Sequence, residues 1–226
     1  MKARQVVFLL VVVLVLAVAA QFFLGGRPKS LPVLSGLPWQ IKVLPDGTSE
    51  VFGLHLGRST LDDARRRFGP DPELALIARI GELGSLEAYY PDVSSGPFTG
   101  KVVLGLAVSE ERLKQLREHA VDVEAMESGA RKFILNRKDY DASFQLPLRT
   151  VTFLPFVRFD EEIILKRFGT PARRLKAPGS GEHFLYPDRG LDVALGGRGK
   201  AVLQYMAPRD FAALMAPLEQ AAQHPR

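Results

Sequence analysis

The chain has 226 residues, 46% of them hydrophobic and 24% charged, with a formal net charge of +5 and no cysteine. That balance excludes a disordered or collagen-like chain, and the missing thiols exclude disulfides, thiolate metal centres, iron–sulfur clusters, a lipid-modified cysteine and cysteine nucleophiles such as those of L,D-transpeptidases. The basic clusters, such as Arg65-Arg66-Arg67 and Arg173-Arg174-Lys176, are separated by acids, so no nucleic-acid partner is expected.

At the N-terminus Lys2 and Arg4 precede an apolar run from Val6 to Leu24 that only Gln21 interrupts. At 1.5 Å per residue the run reaches about 28 Å, close to the thickness of a hydrocarbon core. Residues 1–29 are therefore expected to be a signal anchor, a transmembrane helix. It would hold a single-pass protein in a bacterial inner membrane, with the C-terminal domain in the periplasm. Cleavage after Ala19 or Ala20 would instead release that domain into the periplasm. Phe22, Phe23 and Leu24, which prolong the run, favour the anchor.

Beyond this point the chain matches itself. Arg67-Phe68-Gly69 with Pro70 recurs as Arg167-Phe168-Gly169 with Pro171. Tyr90-Pro91-Asp92 recurs as Tyr186-Pro187-Asp188, and Gly100-Lys101-Val102-Val103-Leu104 as Gly199-Lys200-Ala201-Val202-Leu203. The common order and near-constant offset point to a duplication, 30–127 and 151–226, joined by a polar linker at 128–150. In each copy a short apolar stretch (51–56; 151–159) leads into a helix. Ser59 or Thr60 can cap the first, with Asp62 or Asp63 completing a capping box, and Asp160 can cap the second. Acids in the first turn and bases in the last suit the helix dipole, and Gly69 and Gly169 offer left-handed stops. Strands are expected at 74–80, 85–90 and 101–108, then at 172–176, 182–186, 191–195 and 201–207, between glycine and proline breakers. Helices at 109–127 and 208–223 close the copies. The expected fold class is α+β: an N-terminal transmembrane helix followed by two tandem repeats of helix, antiparallel β-meander, helix.

A short helix ending in Phe68-Gly69-Pro70 or Phe168-Gly169-Thr170-Pro171, followed by such a meander, resembles the small α+β modules of the SmpA/BamE outer-membrane assembly family and related β-lactamase-inhibitor-like domains. This chain departs from that family in having an apolar span where a lipid-modified cysteine would stand. As a whole it is similar to single-span envelope proteins of proteobacteria, which implies a location in the envelope.

Motifs that carry chemistry are few. Gly196-Gly197-Arg198-Gly199-Lys200 lacks the first glycine, the Ser/Thr and the following helix of a phosphate loop, and reads as a hairpin turn. The histidines are dispersed without metal-ligand spacing, so no metal, cofactor or catalytic residue is assigned. The candidate binding residues are Tyr90 and Asp92, their counterparts Tyr186 and Asp188 lining a related pocket, and His183 near Glu182 and Asp188. The function these features support is non-enzymatic: a membrane-anchored envelope protein whose duplicated domain binds a protein or cell-wall partner. The alternative is a periplasmic hydrolase of peptidoglycan or another glycan that uses carboxylates with His183.

Overall fold

Period-two alternation of apolar and polar residues recurs along the chain, and it builds strands. The computed structural model describes residues 36–177 and 181–223. Thirteen strands and five α-helices lie among these residues. The first are β1 (Lys42–Val43), β2 (Ser49–Val51), β3 (Leu54–His55), helix α1 (Leu61–Phe68), β4 (Glu73–Ala78), β5 (Ser85–Ser95), β6 (Phe98–Leu106) and α2 (Glu110–Glu118). Then come β7 (Asp122–Ala125), β8 (Arg131–Ile134), α3 (Arg137–Ser143), β9 (Leu148–Pro155) and α4 (Glu161–Phe168). The chain continues through β10 (Arg173–Ala177), β11 (Gly181–Tyr186), β12 (Leu191–Leu195), β13 (Ala201–Met206) and α5 (Phe211–Gln223).

Strands β1 to β3 form a small sheet, and the other ten form one antiparallel sheet in the order β10-β11-β12-β13-β9-β6-β5-β4-β8-β7. One face of the large sheet is the core. Leu76, Leu86, Leu104, Phe153, Leu203 and Tyr205 are buried there under Leu61 of α1, Leu116 of α2 and Ile164 and Phe168 of α4. The small sheet enters the same core through Phe52, in the turn between β2 and β3. Phe52 has φ +56°, and Gly53 follows at +77°. A left-handed non-glycine residue costs about 1–2 kcal/mol. Aromatic packing offsets it: the Phe52 ring is 1% exposed and lies 6.1 Å from Phe68, 5.5 Å from Phe153 and 5.5 Å from Tyr205.

Helix starts follow side-chain capping. Thr60 accepts from the Asp63 N–H while Asp63 accepts from the Thr60 N–H at 2.8 Å, closing a capping box on α1. Ser109 caps α2 and Asp160 caps α4, the latter accepting from the Ile163 N–H at 2.8 Å. The stops differ from expectation. Gly69 and Gly169 have φ +125° and +79° but extended ψ of 160° and −168°, a region that only glycine enters easily, so neither is a left-handed cap.

The fold class needs correction. The described chain is not two helix–meander–helix repeats, because the stretch 128–150 is structural rather than a linker. It supplies β8, α3 and the first residues of β9, and β9 pairs with β6 on one side and β13 on the other. The strands of both expected copies therefore share one sheet. The helix expected at 109–127 ends at Glu118, and Asp122–Ala125, which alternates acidic and apolar residues, becomes β7. The expected transmembrane helix and signal anchor, Val6 to Leu24, lie outside the described residues. No helix among the described residues is long and apolar enough to cross a membrane, so the expected span is not part of the described fold.

Phe52→Ala removes the ring that joins the two sheets and is expected to lower the unfolding free energy by about 3–5 kcal/mol. Chemical denaturation monitored by near- and far-UV circular dichroism measures the loss.

Candidate functional site

The residues singled out in the sequence are dispersed in the fold. Tyr90 (β5) and Tyr186 (β11) are buried in the main core, while Asp92 and Asp188 are exposed, Asp188 in a 3-10 turn at Pro187–Arg189. They do not line a pair of pockets. Each tyrosine instead packs on the phenylalanine that ends a helix, Tyr90 on Phe68 at 5.6 Å and Tyr186 on Phe168 at 6.1 Å. Around Tyr186 the polar groups are satisfied. Its hydroxyl donates to the Gly169 carbonyl at 2.9 Å and Arg189 Nη1 donates to the Phe168 carbonyl at 2.8 Å, closing the C-terminus of α4. The Tyr90 hydroxyl is buried with no hydrogen-bond partner among the described residues. Burial pushes its pKa up to about 12 against the opposing charge of Arg65.

His183 lies on β11 and Asp192 on β12, both buried, with the imidazole Nδ1 2.8 Å from Asp192 Oδ2 and 3.1 Å from Oδ1. His183 stands opposite Ala194, two residues from Asp192, so the pair is diagonal on one face of the sheet. That face carries a second apolar cluster, where Leu185 and Met206 pack against Phe211 and Met215 of α5. His183 and Asp192 thus form a buried polar link between strands, and Asp188 is not part of it.

One surface with room for a ligand is the rest of that face, over β6, β5, β4 and β8. Strand alternation that sends Leu74, Leu76, Ala88, Tyr90, Val102 and Leu104 into the core sends Glu73, Ala75, Ile77, Glu87, Tyr89 and Val103 to the other side. The register aligns Val103, Tyr89 and Glu73 in one row, and Gly105, Glu87, Ala75 and Ile134 in the next. Glu73, Ala75, Ile77, Glu87, Tyr89 and Val103, together with Lys132 of β8 and Met126 in the β7–β8 turn, line a groove of about 310 Å³. Its floor is apolar, and a second hollow of about 460 Å³ continues from it past Ile77 and Glu87 to Ser128 and Ala130. Gly105 keeps the surface low beside Glu87. A Cβ there would sit 2.4 Å from Thr150 Oγ1.

Charges gather at the rim. Lys132 Nζ is 3.7 Å from Glu73 Oε2 and 3.5 Å from Glu124 Oε2, and Glu87 accepts from Ser85 Oγ at 2.5 Å. On the far side Lys101 Nζ lies 6.0 Å from the Tyr89 ring centre. The groove is an apolar trough with paired charges at its edges, suited to holding an amphipathic surface. Among the described residues no group of three His, Asp or Glu side chains is placed to hold a metal ion. Sequence reasoning passed over Glu73, Glu87, Tyr89, Val103, Met126 and Lys132. The signal for most of them was present: in Ser85-Leu86-Glu87-Ala88-Tyr89-Tyr90 alternation puts Glu87 and Tyr89 on the face opposite Tyr90.

Comparison with protein-family models, with curated proteins and with solved structures finds no match for this chain.

The two tyrosines make opposite predictions. Tyr90→Phe removes an orphan hydroxyl and is expected to leave stability unchanged or raise it by about 1 kcal/mol, whereas Tyr186→Phe breaks a made bond and lowers it by about 1 kcal/mol. Urea unfolding of the two variants checks the signs. In the same assay Asp192→Ala removes the buried carboxylate that meets the His183 imidazole and is expected to cost about 1–3 kcal/mol, while Asp192→Asn keeps an acceptor oxygen and costs less than half of that.

Proposed function

We propose that this protein is a non-enzymatic binding module that docks a partner protein on the uncovered half of its ten-stranded sheet. The observation that carries the reading is the unequal treatment of one sheet face. Over β10 to β13 it is sealed by α5 through Leu185, Met206, Phe211 and Met215. Over β6, β5, β4 and β8 the same face carries the apolar groove of Ala75, Ile77, Tyr89 and Val103 with glutamates at its rim. A broad apolar surface bordered by polar groups on a rigid antiparallel sheet is the form taken by protein-docking sites. A wall component remains the other occupant of the same surface, and rim carboxylates would then meet its cationic groups. The alternative hydrolase reading uses carboxylates with His183, and the His183 imidazole is buried against Asp192.

Photocrosslinking tests the reading. A photoreactive side chain is placed at Val103 or Thr152 on the open face and, in control chains, at Arg66 or Lys114 on exposed helices of the opposite face. Discrete adducts formed only from Val103 and Thr152, and lost on adding excess unlabelled protein, support the open face as the docking surface. Adducts from the helix positions alone, or from none, overturn it.

A further inference from the structure

The two edges of the large sheet are finished differently, and the difference identifies what kind of segment the docking partner presents. The β10 edge is guarded: α5 packs beside it, with Leu175 joined to the α5 cluster and Arg173 Nη1 2.8 Å from Glu219 Oε1. The β7 edge carries no such cover among the described residues. All four residues of β7 are exposed, Val123 at 46%, and the large apolar side chains flanking the strand are exposed with them: Val121 at 66% and Met126 at 39%. An unguarded, apolar edge strand is a template for strand addition.

Register fixes what the edge offers. Asp122 pairs with Ile134 and Glu124 with Lys132, and the Met126 N–H donates to the Ala130 carbonyl at 2.9 Å in the same phase. The backbone groups of residues 122, 124 and 126 therefore turn toward β8, and those of Val123 and Ala125 turn outward. The Val123 N–H is held by its neighbour's carboxylate, Asp122 Oδ1, at 2.7 Å. On the open face the edge shows Asp122 and Glu124, and on the core-side face Val123 and Ala125. Among the described residues Lys132 is the one cation set against Glu124, and it is shared with Glu73. This edge is therefore acidic on one face and apolar on the other, in a chain whose formal charge is +5.

We propose that β7 receives an extended segment of a partner protein that alternates cationic and apolar side chains. This rests on the docking-module reading above and names the chemistry of its partner. The incoming strand takes the outward groups of Val123 and Ala125, and its Lys or Arg side chains stand opposite Asp122 and Glu124, so that Asp122 exchanges the Val123 N–H for a cation. Its apolar side chains pack on Val123 and against the exposed Val121. A second copy of this chain does not fit. A two-fold antiparallel β7–β7 pairing would align Asp122 and Glu124 of both copies on one face, where like charges repel.

The test uses three fluorescein-labelled eight-residue probes with the full chain: one alternating lysine and valine, one alternating glutamate and valine, and a lysine–valine probe with alternate backbone amides N-methylated. The lysine–valine probe is expected to bind by fluorescence anisotropy at least about tenfold more tightly than the glutamate probe, with N-methylation abolishing binding. The doubly substituted Asp122→Lys, Glu124→Lys chain, its fold checked by circular dichroism, is expected to reverse the preference between the two charged probes. Equal binding of both probes, indifference to N-methylation or to the charge reversal, or no binding below about 1 mM overturns the proposal. A self-association of the wild-type chain that the charge reversal alters, seen by sedimentation, also overturns it, because a second copy is then the occupant. If the probes fail while crosslinks from Val103 and Thr152 persist, the strand-addition inference falls and the open-face reading stands. If those crosslinks fail while the lysine–valine probe binds β7, the open-face reading falls.

Discussion

Strand β9 is hydrogen-bonded along both of its edges, to β6 from Gly100 to Leu106 and to β13 from Leu203 to Met206, and the architecture depends on this double pairing. Each meander, β4-β5-β6 and β10-β11-β12-β13, would by itself end in an unpaired edge strand. By lying between them β9 removes two edges at once and merges two small apolar faces into one. Val151 and Phe153 of β9 are fully buried, and Phe153 meets Phe52 of the small sheet. The seam between the halves is therefore also the centre of the core, and the burial of large side chains there is the main source of cohesion.

A sheet of this width has two faces to cover and few helices with which to do it. The α1, α2 and α4 helices and the β1–β3 sheet are spent on the core face. On the other face α5 seals the β10–β13 end, where it covers Met206 and Leu185. The remaining surface tolerates water because its side chains mix charge with modest apolar groups: Glu73, Glu87 and Lys132 stand among Ala75, Ile77 and Val103. That compromise is stable in solution and still leaves apolar area whose burial by a partner is favourable.

Much of the local structure was legible in the sequence. The capping pair Thr60 and Asp63, the Asp160 cap and most strand cores are dictated by neighbours in sequence, and local rules find them. The pairing of β9 with β6 and β13 was not legible, because it joins segments that no local pattern connects. The polar run at 128–150 read as a linker, yet its alternation Arg131-Lys132-Phe133-Ile134 is that of a strand with one buried side chain, Phe133. Likewise the acidic residues of 122–125 suited a helix as well as a strand, and Gly129 at φ +79° decided for the hairpin.

The candidate site shows why repetition misled. Tyr90 and Tyr186 recur because each packs on a helix-ending phenylalanine, which is a structural duty that buries the ring. A side chain held in the core in that way has no surface left for a partner. Tyr89, one residue earlier, has no counterpart in the second stretch, and alternation carries it to the opposite face, where it lines the groove. A strand divides adjacent residues between cohesion and contact, so the residue beside the repeated one is the better place to look for binding. The same division operates at β7, where Val123 and Glu124 face opposite sides of one exposed edge and give it both an apolar and an acidic aspect.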